Sequence, residues 1–338
     1  MQTRPSLSTF FRAGLVACLA LGTGCSKSVT PSLDASVGVD ASSAVDAAAP
    51  ASDLGDAGAV DLSTDAAINL VAARPYKSHV PASYDATKPT PLVLMLHGYN
   101  SNAAAHEAYF QLIPASDAHG FLYAYPDGLP DILGKQGWNA SDACCIFQPQ
   151  KPDDLSYLTA VLDDMASKYN VDPKRIFIVG HSNGGFMAQA VACALSTRIA
   201  AVVSQAGAVF ADATQCKATS PVAFRQIHAS NDDTISYDGG KVFFLAAAYP
   251  SAHQTVATWA AKSGCAATLL TNVGTQDVTT AVAGAETVVD RYDGCSGGST
   301  VELWTMNGIP TDQMPHQPAL TAGYAETAWT FFAAHPKP

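Results

Sequence analysis

The sequence predicts one α/β domain built around a mainly parallel sheet. Apolar runs of strand length alternate with helical patterns, and no internal repeat or second linker interrupts them. Runs that are apolar at nearly every position are typical of parallel strands covered on both faces. Strands and helices that alternate along the chain then give an α/β architecture.

Six apolar segments are predicted as strands, at residues 91–98, 121–128, 175–182, 200–207, 222–230 and 300–306. Residues 153–169 are predicted as a helix, because five apolar side chains there recur at steps of three and four: Leu155, Leu158, Leu162, Met165 and Tyr169. Asp153 and Asp154 suit the start of that helix. A similar pattern predicts a closing helix over residues 319–334.

The N-terminal part of the chain has the features of an export signal. Arg4 and Arg12 precede an apolar run at residues 13–24, which is too short to span a bilayer. The run leads directly to Cys25, an arrangement similar to a bacterial lipoprotein signal, in which this cysteine is lipidated. We therefore expect export from a bacterium, followed by lipid anchoring to the cell envelope. Ordinary secretion, with cleavage after a small residue, is the alternative.

We divide the chain into a signal at residues 1–24, a tether at 25–66 and a catalytic domain at 67–338. The tether is rich in Ala, Ser and Asp and has no aromatic residue, so it is expected to be disordered. The net charge of −11 argues against nucleic acid or an anionic membrane surface as a partner. Membrane contact is expected only through the lipid, and the protein is expected to be a monomer.

A serine motif follows the third predicted strand. Ser182 lies between Gly180 and Gly184 in "GHSNG", and a helical pattern follows it. The motif alone is a weak signal. A sharp strand-to-helix turn, however, exposes a serine hydroxyl, and the N-terminus of the next helix can stabilise an oxyanion. Ser182 is therefore the candidate nucleophile.

A serine nucleophile needs a base, and in this architecture the acid and then the histidine follow it along the chain. The loop after residues 222–230 offers Asp232 and Asp233, and the loop after the last predicted strand offers His316. His97, which ends the first strand, is expected to shape the oxyanion loop. Structural roles are expected for the other histidines, including His181, which should point away on a tight turn.

Three segments, "HGYNSNA", "GHSNGGFMA" and "IHASNDDTISYDGG", resemble the poly(3-hydroxybutyrate) depolymerase and feruloyl esterase group of α/β-hydrolases. The resemblance begins near residue 74 and implies the α/β-hydrolase fold, with Asp232 as the acid. The sequence departs from the group at Ala229, at Ser236 and around His316, where it reads "DQMPHQPA". The last departure affects the expected substrate more than the catalysis.

The expected activity is hydrolysis of a carboxylic ester by Ser182, His316 and Asp232, without a cofactor or metal. Backbone N–H groups of Tyr99 and Asn183 are expected to bind the oxyanion. Trp138, Asn139 and Tyr237 are candidates for lining the substrate cleft, although Trp138 could equally be a core aromatic. A polyester, a hydroxycinnamoyl ester or an acetylated polysaccharide would fit as substrate. A peptidase or amidase, an acyltransferase and a non-catalytic binding lipoprotein remain as alternatives.

Six cysteines lie in the domain, and an even number in an exported protein favours disulfides. No Cys-x-x-Cys pair occurs, so a zinc site is not expected. The family resemblance implies that Cys265 pairs with Cys295. The helix after the nucleophile and the loop before the next core strand suggest a second pair, Cys193 with Cys216, which leaves Cys144 for Cys145.

Overall fold

The computed structural model describes residues 64–147, 151–242 and 245–338. The expected signal, the lipidation site at Cys25 and most of the expected tether lie outside these residues. The first described element is helix α1 (Thr64–Ala73). It begins within the last three residues that the sequence assigned to the tether.

Six further helices are described: α2 (Ala103–Phe110), α3 (Leu112–His119), α4 (Asp154–Lys168), α5 (Asn183–Ala194), α6 (Ala252–Lys262) and α7 (Tyr324–Ala334). The strands of the described residues are β1 (Lys77–His79), β2 (Thr90–Leu96), β3 (Leu122–Tyr125), β4 (Leu129–Pro130), β5 (Gln136–Gly137), β6 (Val171–His181), β7 (Ile199–Gln205), β8 (Ala223–Ala229), β9 (Leu269–Gln276), β10 (Thr287–Tyr292) and β11 (Val301–Met306). Strands β4 and β5 form a separate short hairpin.

The remaining nine strands form one sheet in the order β1-β3-β2-β6-β7-β8-β11-β10-β9. Its six central strands, from β3 to β11, are parallel, and β1, β10 and β9 are antiparallel at the edges. The α/β-hydrolase fold class predicted from the sequence is therefore confirmed, and each of the six predicted strands is present. The closing helix begins at Tyr324 instead of residue 319, which corrects its predicted start.

Helices cover both faces of the sheet, and β2 shows how its sequence specifies this. Every residue of β2 is buried. Leu92 and Leu94 pack in the core with α4, α5 and α6, whereas Val93 and Met95 pack with α2, α3 and α7. Because alternate strand residues point to opposite faces, an unbroken apolar run is what this two-sided burial requires.

The parallel strands place their carboxyl ends along one edge of the sheet. Ser182 follows β6, Asp232 follows β8, and His316 lies in the loop between β11 and α7. In open α/β sheets, ligands bind at this edge. The fold thus brings residues that are far apart in the sequence to a common edge.

Three disulfides lie within the described residues: Cys144–Cys145, Cys193–Cys216 and Cys265–Cys295. These are the pairs expected from the sequence. The second joins α5 to the loop after β7, and the third joins the segment after α6 to the segment after β10. No helix in the described part of the chain is both long enough and apolar enough to cross a membrane.

Candidate active site

Ser182 occupies a strained turn between β6 and α5. Its backbone has φ 52° and ψ −124°, a conformation that a residue with a side chain rarely adopts. Its N–H donates a 2.8 Å hydrogen bond to the carbonyl of Gln205, which ties the turn to β7. A side-chain carbon on Gly180 would overlap the carbonyl of Gly184, and one on Gly184 would overlap that of Leu96. Both glycines of the motif are therefore required by close backbone contact.

Asp232 and His316 meet at the carboxyl edge of the sheet. The Nδ1 atom of His316 lies 2.9 Å from Oδ2 and 3.1 Å from Oδ1 of Asp232. Asp232 is buried, and its Oδ1 also accepts hydrogen bonds from the backbone N–H groups of Thr234 and Ile235, both at 2.9 Å. The carboxylate thus directs the Nδ1 side of the imidazole, which leaves Nε2 as the nitrogen that can exchange a proton.

A second histidine supports the same carboxylate. His228 Nε2 lies 3.2 Å from Oδ2 of Asp232 and 2.8 Å from the carbonyl of Ile235. Burial alone would raise the pKa of Asp232, but the hydrogen bonds from His228 and His316 outweigh it and hold that pKa well below its usual value. Asp232 therefore remains a carboxylate at neutral pH.

Asp233, the other candidate acid, is exposed, and its Oδ1 accepts a hydrogen bond from the hydroxyl of Thr234 at 3.1 Å. In the structure Asp232 contacts His316, whereas Asp233 remains at the surface. Of the two acids that the residues alone left open, the geometry therefore favours Asp232.

The loop after β2 passes directly beside the nucleophile. A side-chain carbon placed on Gly98 would lie 3.3 Å from Cβ of Ser182. Tyr99 follows in this loop, and its hydroxyl donates to Asp131 at 2.7 Å. Asn183 is the first residue of α5, where the backbone N–H groups have no acceptor within the helix. Both expected oxyanion donors thus belong to segments that border Ser182.

His97 holds this loop in place, as its position in the sequence suggested. Its Nδ1–H donates to the carbonyl of Gly98 at 2.8 Å, and its Nε2 accepts from the N–H of Gly128 at 2.8 Å. Because the ring is buried, the pKa of His97 falls to about 4. The neutral tautomer is therefore the one that supports the loop.

Two residues expected to line the substrate cleft make hydrogen bonds within the protein. Trp138 is completely buried, and its Nε1–H donates to the carbonyl of His97 at 2.9 Å. Its backbone N–H and carbonyl both pair with the side chain of Asn183, at 2.6 and 2.9 Å. The side-chain amide of Asn139 donates to the carbonyl of Pro152 at 2.9 Å. Trp138 offers no surface and thus fits the core alternative. The amide of Asn139 fastens a loop, and its contact with substrate stays a prediction.

Tyr237, the third such residue, is half-buried. Its hydroxyl lies 2.8 Å from Oγ1 of Thr305 and 3.2 Å from Nε2 of His253. Its ring packs against His228, with the ring centroids 5.6 Å apart. Tyr237 therefore supports the histidine that holds Asp232.

His106 and His181, for which the sequence predicted structural roles, also lie beside the site. Both are buried, and His181 directly precedes the nucleophile. Within the part of the chain that the structure describes, no group of three or more His, Cys, Asp or Glu side chains could hold a metal ion.

Comparison with known proteins identifies relatives. The family described as "Prolyl oligopeptidase family" matches residues 110–308, which is more than half of the chain. Feruloyl esterase B of Piromyces equi is 26% identical over 234 residues, which cover 68% of this chain and 40% of that protein. Poly(3-hydroxyalkanoate) depolymerase C of Paucimonas lemoignei is 29% identical over 143 residues, or 40% of this chain and 32% of that protein. The chain thus spans less than half the length of either relative.

Among solved structures, an acetyl xylan esterase from Aspergillus awamori superposes with a TM-score of 0.52 and 14% sequence identity. The match covers 76% of this chain and 93% of that one. At this identity the likeness concerns the fold, and it agrees with the parallel sheet and flanking helices described above.

Proposed function

Because the chain belongs to the prolyl oligopeptidase family, within the α/β-hydrolases, we propose that it is a serine carboxylic ester hydrolase. The observation that carries the proposal is the strained turn at Ser182, set at the same sheet edge as the His316–Asp232 pair. A serine held with positive φ at a strand-to-helix turn is costly to fold, and such strain is typical of a nucleophile.

In the proposed reaction, Oγ of Ser182 attacks the ester carbonyl while Nε2 of His316 takes its proton. Asp232 stabilises the imidazolium that forms. The backbone N–H groups of Tyr99 and Asn183 stabilise the oxyanion. The alcohol leaves with the proton from His316, and water then hydrolyses the acyl-enzyme by the same steps.

The proposal favours esters over peptides because the named relatives above include a feruloyl esterase and a polyester depolymerase. The family description supports a second candidate, a serine peptidase with the same three residues. An ester is the more easily cleaved bond, since its alkoxide leaving group needs less help from an acid than an amine does. Ester hydrolysis is therefore expected from either enzyme, and Ser182-dependent hydrolysis of matched amides separates the two.

Exposed apolar side chains in two loops support the choice of an ester with a hydrophobic acyl or aryl group. Met314, two residues before His316, is 67% exposed, and Ile132 and Leu133 in the β4–β5 hairpin are 70% and 59% exposed. The hairpin is fastened to the loop after β2, because the N–H of Asn100 donates to the carbonyl of Gln136 at 2.8 Å. We therefore propose a polyester or a hydroxycinnamoyl ester as the substrate.

We also propose that the enzyme acts outside the cytoplasm of a bacterium, attached by lipid on Cys25. The signal-like N-terminus supports export. The three disulfides support it independently, since disulfides persist in oxidising compartments.

The test is a panel of aryl and alkyl esters and matched amides, with wild-type protein and Ser182→Ala. The variant should lose roughly 10⁴-fold or more of its ester hydrolysis while its unfolding transition is unchanged. Ser230→Ala, at an exposed serine in the loop after β8, is the matched control. Ester hydrolysis within tenfold of wild type in Ser182→Ala would refute the nucleophile. Hydrolysis of the matched amides that Ser182→Ala abolishes would select the peptidase.

A further inference from the structure

Two buried imidazoles lie directly behind the catalytic residues. His181, the residue before Ser182, is 2% exposed, and His106 in α2 is 1% exposed. Nε2 of His106 lies 3.1 Å from Nδ1 of His181, and Nε2 of His181 lies 2.9 Å from the backbone carbonyl of His316. The proposed reaction uses neither ring, yet one of them contacts the segment that carries the base.

The contact with His316 fixes the proton on His181. A carbonyl oxygen only accepts hydrogen bonds, so Nε2 of His181 must be the donor. Burial drives the pKa of His181 well below its usual value, so the ring is neutral and carries a single proton. His181 therefore has one tautomer, in which its only N–H is directed at the loop between β11 and α7, residues 307–323, which carries His316 and is called the base loop below.

His106 extends this contact to the oxyanion loop. Because Nδ1 of His181 carries no proton, Nε2–H of His106 donates to it, and Nδ1 of His106 accepts from the hydroxyl of Ser101 at 2.9 Å. The backbone nitrogen of Gly98 lies 3.2 Å from the same Nε2. The imidazole pair thus touches all three segments that form the site: the loop after β2, the nucleophile turn and the base loop.

The base loop receives a second hydrogen bond close to the first. The hydroxyl of Tyr109 donates to the carbonyl of Pro318 at 3.0 Å, and it accepts from Nε2 of Gln205 at 2.6 Å. Gln205 is also the residue whose carbonyl binds the N–H of Ser182. On its outer side the loop has little support, since residues 311–314 are all exposed. Asn231 and Thr279 bind carbonyls nearer the two ends of the loop, at Ile309 and Ala319, so the donors from His181 and Tyr109 hold the middle of it.

We propose that His181 is a positioning residue, whose Nε2–H holds the carbonyl of His316 and so fixes the base between Asp232 and Ser182. This inference rests on the proposed function where it concerns catalysis. Loss of this hydrogen bond leaves the substrate-binding surface intact but allows the imidazole of His316 to move out of its reactive position. The expected result is a lower kcat with an unchanged KM.

Two substitutions separate the hydrogen bond from packing. His181→Gln retains an N–H donor at a similar reach, whereas His181→Met fills a similar volume without a donor. On an ester that wild type hydrolyses, kcat of His181→Met should fall about 10- to 100-fold, with KM within about twofold. His181→Gln should recover most of that loss. Equal loss in both variants, or wild-type kcat in His181→Met, would overturn the proposal.

A readout that needs no activity completes the test. The N–H of Gln317 donates to the carbonyl of Met314 at 2.9 Å, so its hydrogen exchange reports opening of the base loop. Exchange at Gln317 should accelerate at least about tenfold in His181→Met and stay near wild type in His181→Gln. If no ester or amide is hydrolysed but this pattern appears, the proposed function fails and the positioning role stands. Unchanged exchange in His181→Met refutes the positioning role, whatever the activity.

Discussion

Mild acid should destabilise the folded domain through three buried histidines. Burial lowers the pKa of His97 to about 4 and that of His106 to about 3, and it lowers the pKa of His181 well below its usual value. Unfolding returns each ring to water and to an ordinary pKa of about 6.5. Below about pH 6.5 the histidines therefore bind protons in the unfolded chain but stay neutral in the folded protein. The contribution of the three neutral histidines to the free energy of unfolding is complete above about pH 6.5. It is lost as the pH falls toward their pKa values in the folded protein.

The magnitude follows from proton linkage. Between about pH 6.5 and 5.5, a histidine that titrates only in the unfolded state lowers the free energy of unfolding by about 1 kcal/mol. The three buried rings together should therefore remove about 3 kcal/mol over this single unit of pH. This is a large fraction of the stability of an ordinary domain, about 5–15 kcal/mol.

His97→Gln isolates one of the three contributions, because glutamine can donate to Gly98 and accept from Gly128 without titrating. Urea unfolding of wild type and variant, with disulfides intact, gives the free energy of unfolding at each pH. The variant should lose about 1 kcal/mol less than wild type between about pH 6.5 and 5.5. Between about pH 7.5 and 8.5 the two should change in parallel, which controls for the packing cost of the substitution. Equal losses in the acid range would show that His97 titrates in the folded state and would refute the reasoning.

Two other predictions test the acid and the anchor. Asp232→Asn should reduce kcat for ester hydrolysis by about 10⁴-fold, because the imidazole loses its orientation and its counter-charge. Asp233→Asn, at the exposed neighbour, should stay within about twofold of wild type, and the reverse order in kinetic assays would exchange their roles. Palmitate fed to expressing bacteria should label the wild-type protein but not Cys25→Ser; a labelled variant would place the lipid elsewhere.

The parallel strands were predictable because burial on both faces leaves a continuous apolar signal. Strand β9 (Leu269–Gln276) gave no such signal, since seven of its eight residues are exposed. Its backbone pairs with β10, and that pairing decides its structure. The predicted start of α7 was wrong for a related reason. Residues 319–321 pair with residues 278–280 through backbone hydrogen bonds, which prevent the helix from beginning there.

The three candidate catalytic residues were visible because their positions follow from chain order and strand ends. The support around them was not visible. An aromatic residue beside polar ones, such as Trp138, reads equally well as a cleft wall or as core, and only its complete burial decides. His228 appeared to be one more strand residue, although its imidazole reaches Asp232. Contacts of this kind depend on the register of neighbouring segments, which periodicity does not encode.

The contact between His106 and His181 could not be predicted from the sequence. The two residues are 75 positions apart, and each alone has the ordinary explanation of a structural histidine. The expectation that His181 points away from the nucleophile agrees with its contacts, which are to His106 and to the base loop. A buried polar ring is unfavourable unless its nitrogens find partners, and here both nitrogens of His181 do. A core with leucine at this position would avoid that requirement. Leucine could make neither of these two hydrogen bonds, and the proposed positioning role gives a function to one of them, the N–H donated to the carbonyl of His316.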